Sequence, residues 1–158
     1  MVFRRRRLPV VAGLERGERV LASGSGPEGE LVATSRRLIL PSGTLGWEEI
    51  ERATWDGDEK VLDVYEVARS AARPKRRRVA ITEPGRLVDV VREQVTASVV
   101  ISRHVAIRGR HGVRVTGRRR SDGVITWIAA LDSGIDPGDP AIRAQVDSAI
   151  ASVRSTVE

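Results

Sequence analysis

Residues 29–50, GELVATSRRLILPSGTLGWEEI, set two short apolar runs on either side of a polar turn and follow them with a Trp-Glu-Glu-Ile step. Runs this short, bounded by turn residues, are strands rather than helices. The same cadence extends from Glu18 to Thr82, with strands expected at Arg19 to Ser23, Leu31 to Thr34, Arg37 to Leu40, Trp47 to Trp55, Val61 to Val67 and Arg78 to Thr82. Turn signals separate them: SGSGPEGE at Ser23 to Glu30, PSG at Pro41 to Gly43, DGDE at Asp56 to Glu59 and ARP at Ala72 to Pro74. Such spacing belongs to small sandwiches and barrels. Alternation at Val61 to Val67 sets Val61, Asp63, Tyr65 and Val67 on one face and Leu62, Val64 and Glu66 on the other. This strand is expected to be packed on both sides, with Asp63 needing a partner or an edge position.

At Pro84 the period changes. Thr82 or Glu83 can cap, Pro84 suits a first helical turn, and Leu87, Val88, Val91, Val95, Ser98 and Val99 recur at three- and four-residue spacing. A helix over 84–102 follows, although Val99 to Ile101 could equally begin a strand. Three further strands are expected at His104 to Arg108, Gly112 to Gly117 and Val124 to Leu131. A last helix is capped by Asp139, with Pro140 at its first position and Ile142, Val146, Ile150, Val153 and Val157 as its buried stripe.

The 158 residues are enough for one domain or one domain with an appendage, and the 41% apolar share supports a real core. Phe3, Tyr65, Trp47, Trp55 and Trp127 are all the aromatics, so the interior must be aliphatic. There is no cysteine, which excludes disulfides, thiolate metal sites and a thiol nucleophile. Arg4 to Arg7 followed by LPVVAGL imitates an export signal, but Pro9 interrupts the short apolar run, which ends at Glu15 and Arg16. Nothing later approaches the roughly 18 apolar residues of a spanning helix. The expectation is a cytoplasmic protein with no transmembrane segment and a basic tail.

The strands at Leu31 to Leu40 (LVATSRRLIL), the WEEI step at Trp47 to Ile50 and the helix behind them resemble a bacterial pleckstrin-homology-like (PH-like) domain. That resemblance covers residues 15–102 and implies a strongly bent antiparallel barrel with a helix over one open end. The expected fold class is therefore α+β: a PH-like bent antiparallel β-barrel or sandwich with a covering helix, followed by a three-strand plus one-helix C-terminal extension. The expected division is a basic tail at 1–14, the barrel at 15–102, and a β-β-β-α extension at 103–158 packed on the first part.

In phosphoinositide-binding relatives, basic residues on and beside the loop between the first two strands grip phosphate. The corresponding loop here, Ser23 to Glu30, carries Glu28 and Glu30 and no Lys or Arg, so the resemblance brings the scaffold without the lipid site. It points instead to binding or scaffolding, with a protein partner or a second copy held at a strand edge or in the groove beside the helix. Ile39, Trp47, Val91 and Val95 are the residues expected to border that groove.

The formal charge of +6 is unevenly placed. Arg4 to Arg7, the cluster Arg73, Lys75, Arg76, Arg77 and Arg78, and the seven arginines from Arg103 to Arg120 together hold 16 of the 27 basic residues and no acid; the remainder of the chain is therefore acidic. Alternation places Val105, Ile107, Val113 and Val115 inward and Arg108, Arg114 and Arg118 outward. Those arginines form an alternative anion-binding face for nucleic acid, set against the lack of aromatic platforms, the acidic remainder of the chain and the lack of a helix-turn-helix, RNP or zinc pattern. Catalytic readings find no footing. His104 and His111 have no carboxylate within their own stretch to complete a metal site, and Asp132, Asp136 and Asp139 do not match a calcium loop. Gly24, Gly26 and Gly29 follow a strand without opening a helix, so they do not form a phosphate loop. No catalytic residue, metal or cofactor is expected.

Overall fold

The computed structural model describes residues 8–67 and 75–157; the Arg4 to Arg7 tail with Phe3, and the ARP turn at Ala72 to Pro74, lie outside them. Among the described residues ten strands make three open antiparallel sheets, joined by two α-helices and one short 3-10 helix. The chain is thus α+β. It divides into two compact units, residues 8–67 with 75–96, and residues 97–157.

The first unit opens with β1 (Val20–Gly26), β2 (Gly29–Thr34), β3 (Arg37–Leu40) and β4 (Gly43–Gly46), paired in chain order. A second sheet, β5 (Ile50–Asp56), β6 (Val61–Glu66) and β7 (Arg76–Ala80), has β6 in the middle. Helix α1 (Leu87–Ser98) follows. Inward residues of both sheets, Leu31, Ala33, Leu38, Leu40, Leu62, Val64 and Val79 among them, meet Leu87, Val90, Val91 and Val95 of α1 in one aliphatic core. Enclosing each large side chain there contributes about 1.5–3 kcal/mol relative to leaving it in water.

Ser23 to Glu30 is mostly strand rather than loop. Gly26 lies opposite Gly29, and Pro27 and Glu28 alone make the turn. The glycines serve close approach. A Cβ on Gly26 would sit 2.0 Å from the Ala80 carbonyl oxygen, and one on Gly24 would meet Leu87 Cδ2 at 3.0 Å. Here β1 crosses the end of the second sheet, and Ser25 exchanges backbone hydrogen bonds with Thr82 and Glu83.

Residues 43–46 form an additional short strand, and Trp47–Glu49 is a 3-10 turn, not the start of a strand. Glu49 accepts from the Gly46 N–H at 2.8 Å, which tightens that turn. Among the described residues the Val61 strand is packed on one side only. Leu62 and Val64 enter the core, while Arg52 lies 3.9 Å over the Tyr65 ring and Arg76 pairs with Asp63 at 2.9 Å on the outer face. Cross-strand charge and a cation–π contact replace the second apolar layer.

An ion pair with a buried carboxylate and a half-buried guanidinium closes the β2–β3 corner. The Glu18 side chain is fully enclosed and accepts from Thr34 Oγ1 at 2.5 Å, Arg37 Nε at 2.9 Å, Arg37 Nη2 at 3.1 Å and the Glu15 backbone N–H at 3.0 Å. Burial alone would raise its pKa. The hydrogen bonds from Arg37, Thr34 and Glu15, with the Arg37 charge, outweigh burial and hold the carboxyl below the ordinary glutamate value. Thr34 Oγ1 also accepts from the Arg36 and Arg37 N–H groups, and Arg36 reaches Glu15.

The second unit is a three-stranded sheet of order β10-β9-β8, built from β8 (Val99–Arg108), β9 (His111–Arg119) and β10 (Ile125–Leu131), with helix α2 (Pro140–Ser155). The expected long helix stops at Ser98, because the β-branched Val99, Val100 and Ile101 enter β8 without a loop. Asp139 caps α2 through the Ala141 N–H at 2.9 Å with Pro140 in the first turn. Ala149 and Val153 of α2 close over Val113 and Val115, with Ile101, Val105, Ile107, Trp127, Ala129 and Leu131 around them.

Candidate functional site

The four residues expected to border a groove do not share an open surface. Val91 is 0% exposed, Trp47 5% and Val95 8%, all inside the first unit's core. The Trp47 indole N–H is spent on the Thr34 carbonyl at 2.9 Å. Ile39 alone is half-exposed, since Leu38 and Leu40 take the inward positions of β3. The apolar stripe of α1 fits its groove so closely that it reads as core.

The three arginines also separate. Between Ala106 and Arg108 the β8–β9 register slips by one residue, so that Arg108 faces His111 and turns to the α2 side, within 3.5 Å of Asp139. Arg118 is buried at 6% exposure and donates to Ser98 Oγ at 3.2 Å. Only Arg114 stands on the open face, donating to Ser102 Oγ at 3.3 Å. The outward face predicted for Arg108, Arg114 and Arg118 is therefore not formed, because strict alternation fails at the bulge and Arg118 is enclosed. Of the earlier basic cluster, Arg76 and Arg77 are paired with Asp63 and Glu66.

His104 does gain a carboxylate, from a stretch the sequence spacing did not connect to it. Asp132 follows β10 and reaches over Gly112 to within 2.8 Å of His104 Nε2, while accepting the Gly112 N–H at 2.7 Å. The Gly112 hydrogen bond, then the one from His104, hold the Asp132 carboxyl below its ordinary value. Among the described residues no group of three or more His, Cys, Asp or Glu side chains is placed to hold a metal ion. Asp132 has a structural task at the end of the β9–β10 ladder.

The sheet edges differ sharply, and here one element stands apart. Exposed strand edges invite pairing with other chains unless shortness, charge, bulges or covering segments blunt them. Strand β1 is bridged at Ser25 by residues beyond β7. Strand β4 has only four residues, and Arg77 reaches across to Ser42 beside it. Strand β5 carries a register shift with Glu51, Arg52 and Asp56; β7 carries Arg76, Arg77 and Arg78; β8 has two register shifts along with Arg103, His104 and Arg108.

Strand β10, ITWIAAL, has none of these devices among the described residues. It contains no charge, Pro or Gly, its register with β9 is unbroken, and none of its seven residues is buried. Val124, immediately before it, is 54% exposed. The ladder parity tells which groups face outward. Arg120 N–H donates to the Val124 carbonyl at 2.8 Å and Asp132 N–H to the Gly112 carbonyl at 2.9 Å, so the even-numbered residues bond inward to β9. Ile125, Trp127, Ala129 and Leu131 therefore point their N–H and C=O groups away from the sheet.

The signal for this edge was present in the sequence as an uncharged β-prone run. What was missing was its position at the end of a sheet, which only the topology supplies. No helix among the described residues is long and apolar enough to cross a membrane. Comparison of the chain with family models, with curated proteins and with solved structures found no match.

Proposed function

We propose that the protein is a non-catalytic cytoplasmic binding module with a PH-like first unit, acting by protein–protein contact through strand addition at β10. The PH-like reading is supported by a four-stranded sheet, a three-stranded sheet and a following helix whose Leu87, Val90, Val91 and Val95 enter their common core. The observation that carries the function is the contrast between β10 and the other edges: a neutral, unbulged strand with four outward backbone donor–acceptor pairs. Main-chain bonds from an added strand supply affinity there, and side chains of alternate residues supply selectivity.

Ala129→Pro tests this reading. Its N–H points outward, so proline removes an edge donor and blocks an incoming strand while leaving the bonds to β9 in place. Native protein and the variant are each used to capture binding partners from lysate, with and without nuclease. Protein captured by the native chain in both conditions and lost with Ala129→Pro agrees with the proposal. Retention of the same protein by the variant refutes strand addition. Recovery of nucleic acid alone, lost on nuclease treatment, transfers the function to the arginines of the second unit.

A further inference from the structure

We infer that the strand received by β10 is β10 of a second copy of this chain, and this rests on the strand-addition reading above. The two strands would run antiparallel about a two-fold axis through Ile128. An isologous contact of this kind requires a surface complementary to itself, and three properties of β10 meet that requirement.

The first is register. Because Ile125, Trp127, Ala129 and Leu131 present the outward backbone groups, only pairing about Ile128 matches all of them: Ile125 with Leu131 of the second copy, and Trp127 with its Ala129. Centring one residue either way leaves Leu131 or Ile125 facing chain beyond the strand. The second is charge. Self-pairing puts each residue near its own kind, so a charged edge would repel itself; β10 is neutral from end to end.

The third is shape. Trp127 lies against Gly117 of β9, where an added Cβ would come within 2.9 Å of its ring. In the paired arrangement Ala129 of the second copy stands on the other side of the indole, so the largest side chain of the strand is flanked by two of the smallest. Ile125 meets Leu131 on the same face. On the opposite face Ile128 meets its own copy, and Thr126 meets Ala130. The half-exposed Trp127, Ala129 and Leu131 already border the cluster under α2, so pairing extends that cluster across the axis.

The absence of native cysteine makes the register directly readable. At a non-hydrogen-bonded antiparallel pair the opposed Cα atoms lie about 4.5 Å apart, within disulfide range. Under mild thiol oxidation Ile128→Cys is expected to form a covalent dimer. Thr126→Cys and Ala130→Cys are expected to do so mainly when mixed, and Ser121→Cys serves as the exposed control. Sedimentation of the full chain from about 1 to 300 μM, the range for a small interface, should give a dimer whose dissociation constant rises at least about 100-fold in Ala129→Pro. A monomer throughout, with Ile128→Cys cross-linking no faster than the control, overturns self-pairing. If that monomer still captures another protein in an Ala129→Pro-sensitive way, strand addition stands with a different occupant; if it does not, both readings fall. A dimer indifferent to Ala129→Pro places the contact elsewhere and overturns the inference.

Discussion

Replacing Glu18 by Gln tests the ion pair that closes the β2–β3 corner. The carboxylate is fully enclosed and takes four hydrogen bonds, two of them from Arg37, whose side chain is 28% exposed. Glutamine keeps the shape, but its NH2 group must face one of those donors, and Arg37 loses its counter-charge. Removing one member of a buried pair costs about 3–5 kcal/mol; the partial access of Arg37 to water puts this site at the lower end, about 3 kcal/mol. For a unit of this size that is a fall of about 12–24 °C in Tm. Urea unfolding followed by tryptophan fluorescence in a Trp127→Phe background reads the first unit through Trp47 and Trp55. The carboxyl's pKa is depressed by folding, so its contribution is complete above the unfolded value of about 4.3 and disappears as pH falls through the lower folded value. Glu18→Gln should therefore flatten the acid limb of the stability profile as well as lower the plateau. A change under about 0.5 kcal/mol at neutral pH, with the acid limb intact, would refute the reasoning.

Gly26→Ala places a methyl group 2.0 Å from the Ala80 carbonyl oxygen, and the strand crossing can yield only by backbone movement; destabilisation of about 3 kcal/mol or more is expected in urea titration. Asp139→Ala removes the α2 cap and should lower stability by about 1 kcal/mol, visible as earlier thermal loss of helical circular dichroism. The Asp132 carboxyl should titrate below the ordinary aspartate value by NMR. His104→Gln should return part of that displacement and leave part of it, because the Gly112 N–H also holds the carboxylate; complete reversion would contradict the Gly112 contribution.

Most elements were legible from the sequence because their signals are local. Asp139 and Pro140 announce α2, alternation at Leu31 to Leu40 gives β2 and β3, and the valine stripe of α1 has helical period. Illegible features depend on residues distant in the chain. Gly24 and Gly26 resemble loop glycines until Ala80 and Leu87 are brought against them. Arg108 follows simple alternation until the slip after Ala106 turns it over, and Asp132 meets His104 only because β9 lies between their strands. The burial of the groove residues was illegible for another reason: periodicity identifies an apolar face without telling whether a lining or a filling is meant, and Trp47, Val91 and Val95 are filling.

The two register shifts in β8 have a consequence for the opposite side of its sheet. Fibrous growth through strand pairing needs an acceptor at both ends of every unit, so that each addition regenerates the place for the next. With β8 register-shifted and charged and β10 plain, the proposed pairing would give the second unit a valence of one. A strand added at β10 would use up that valence, so that this unit would carry a neutral seven-residue strand without becoming a link in a polymer.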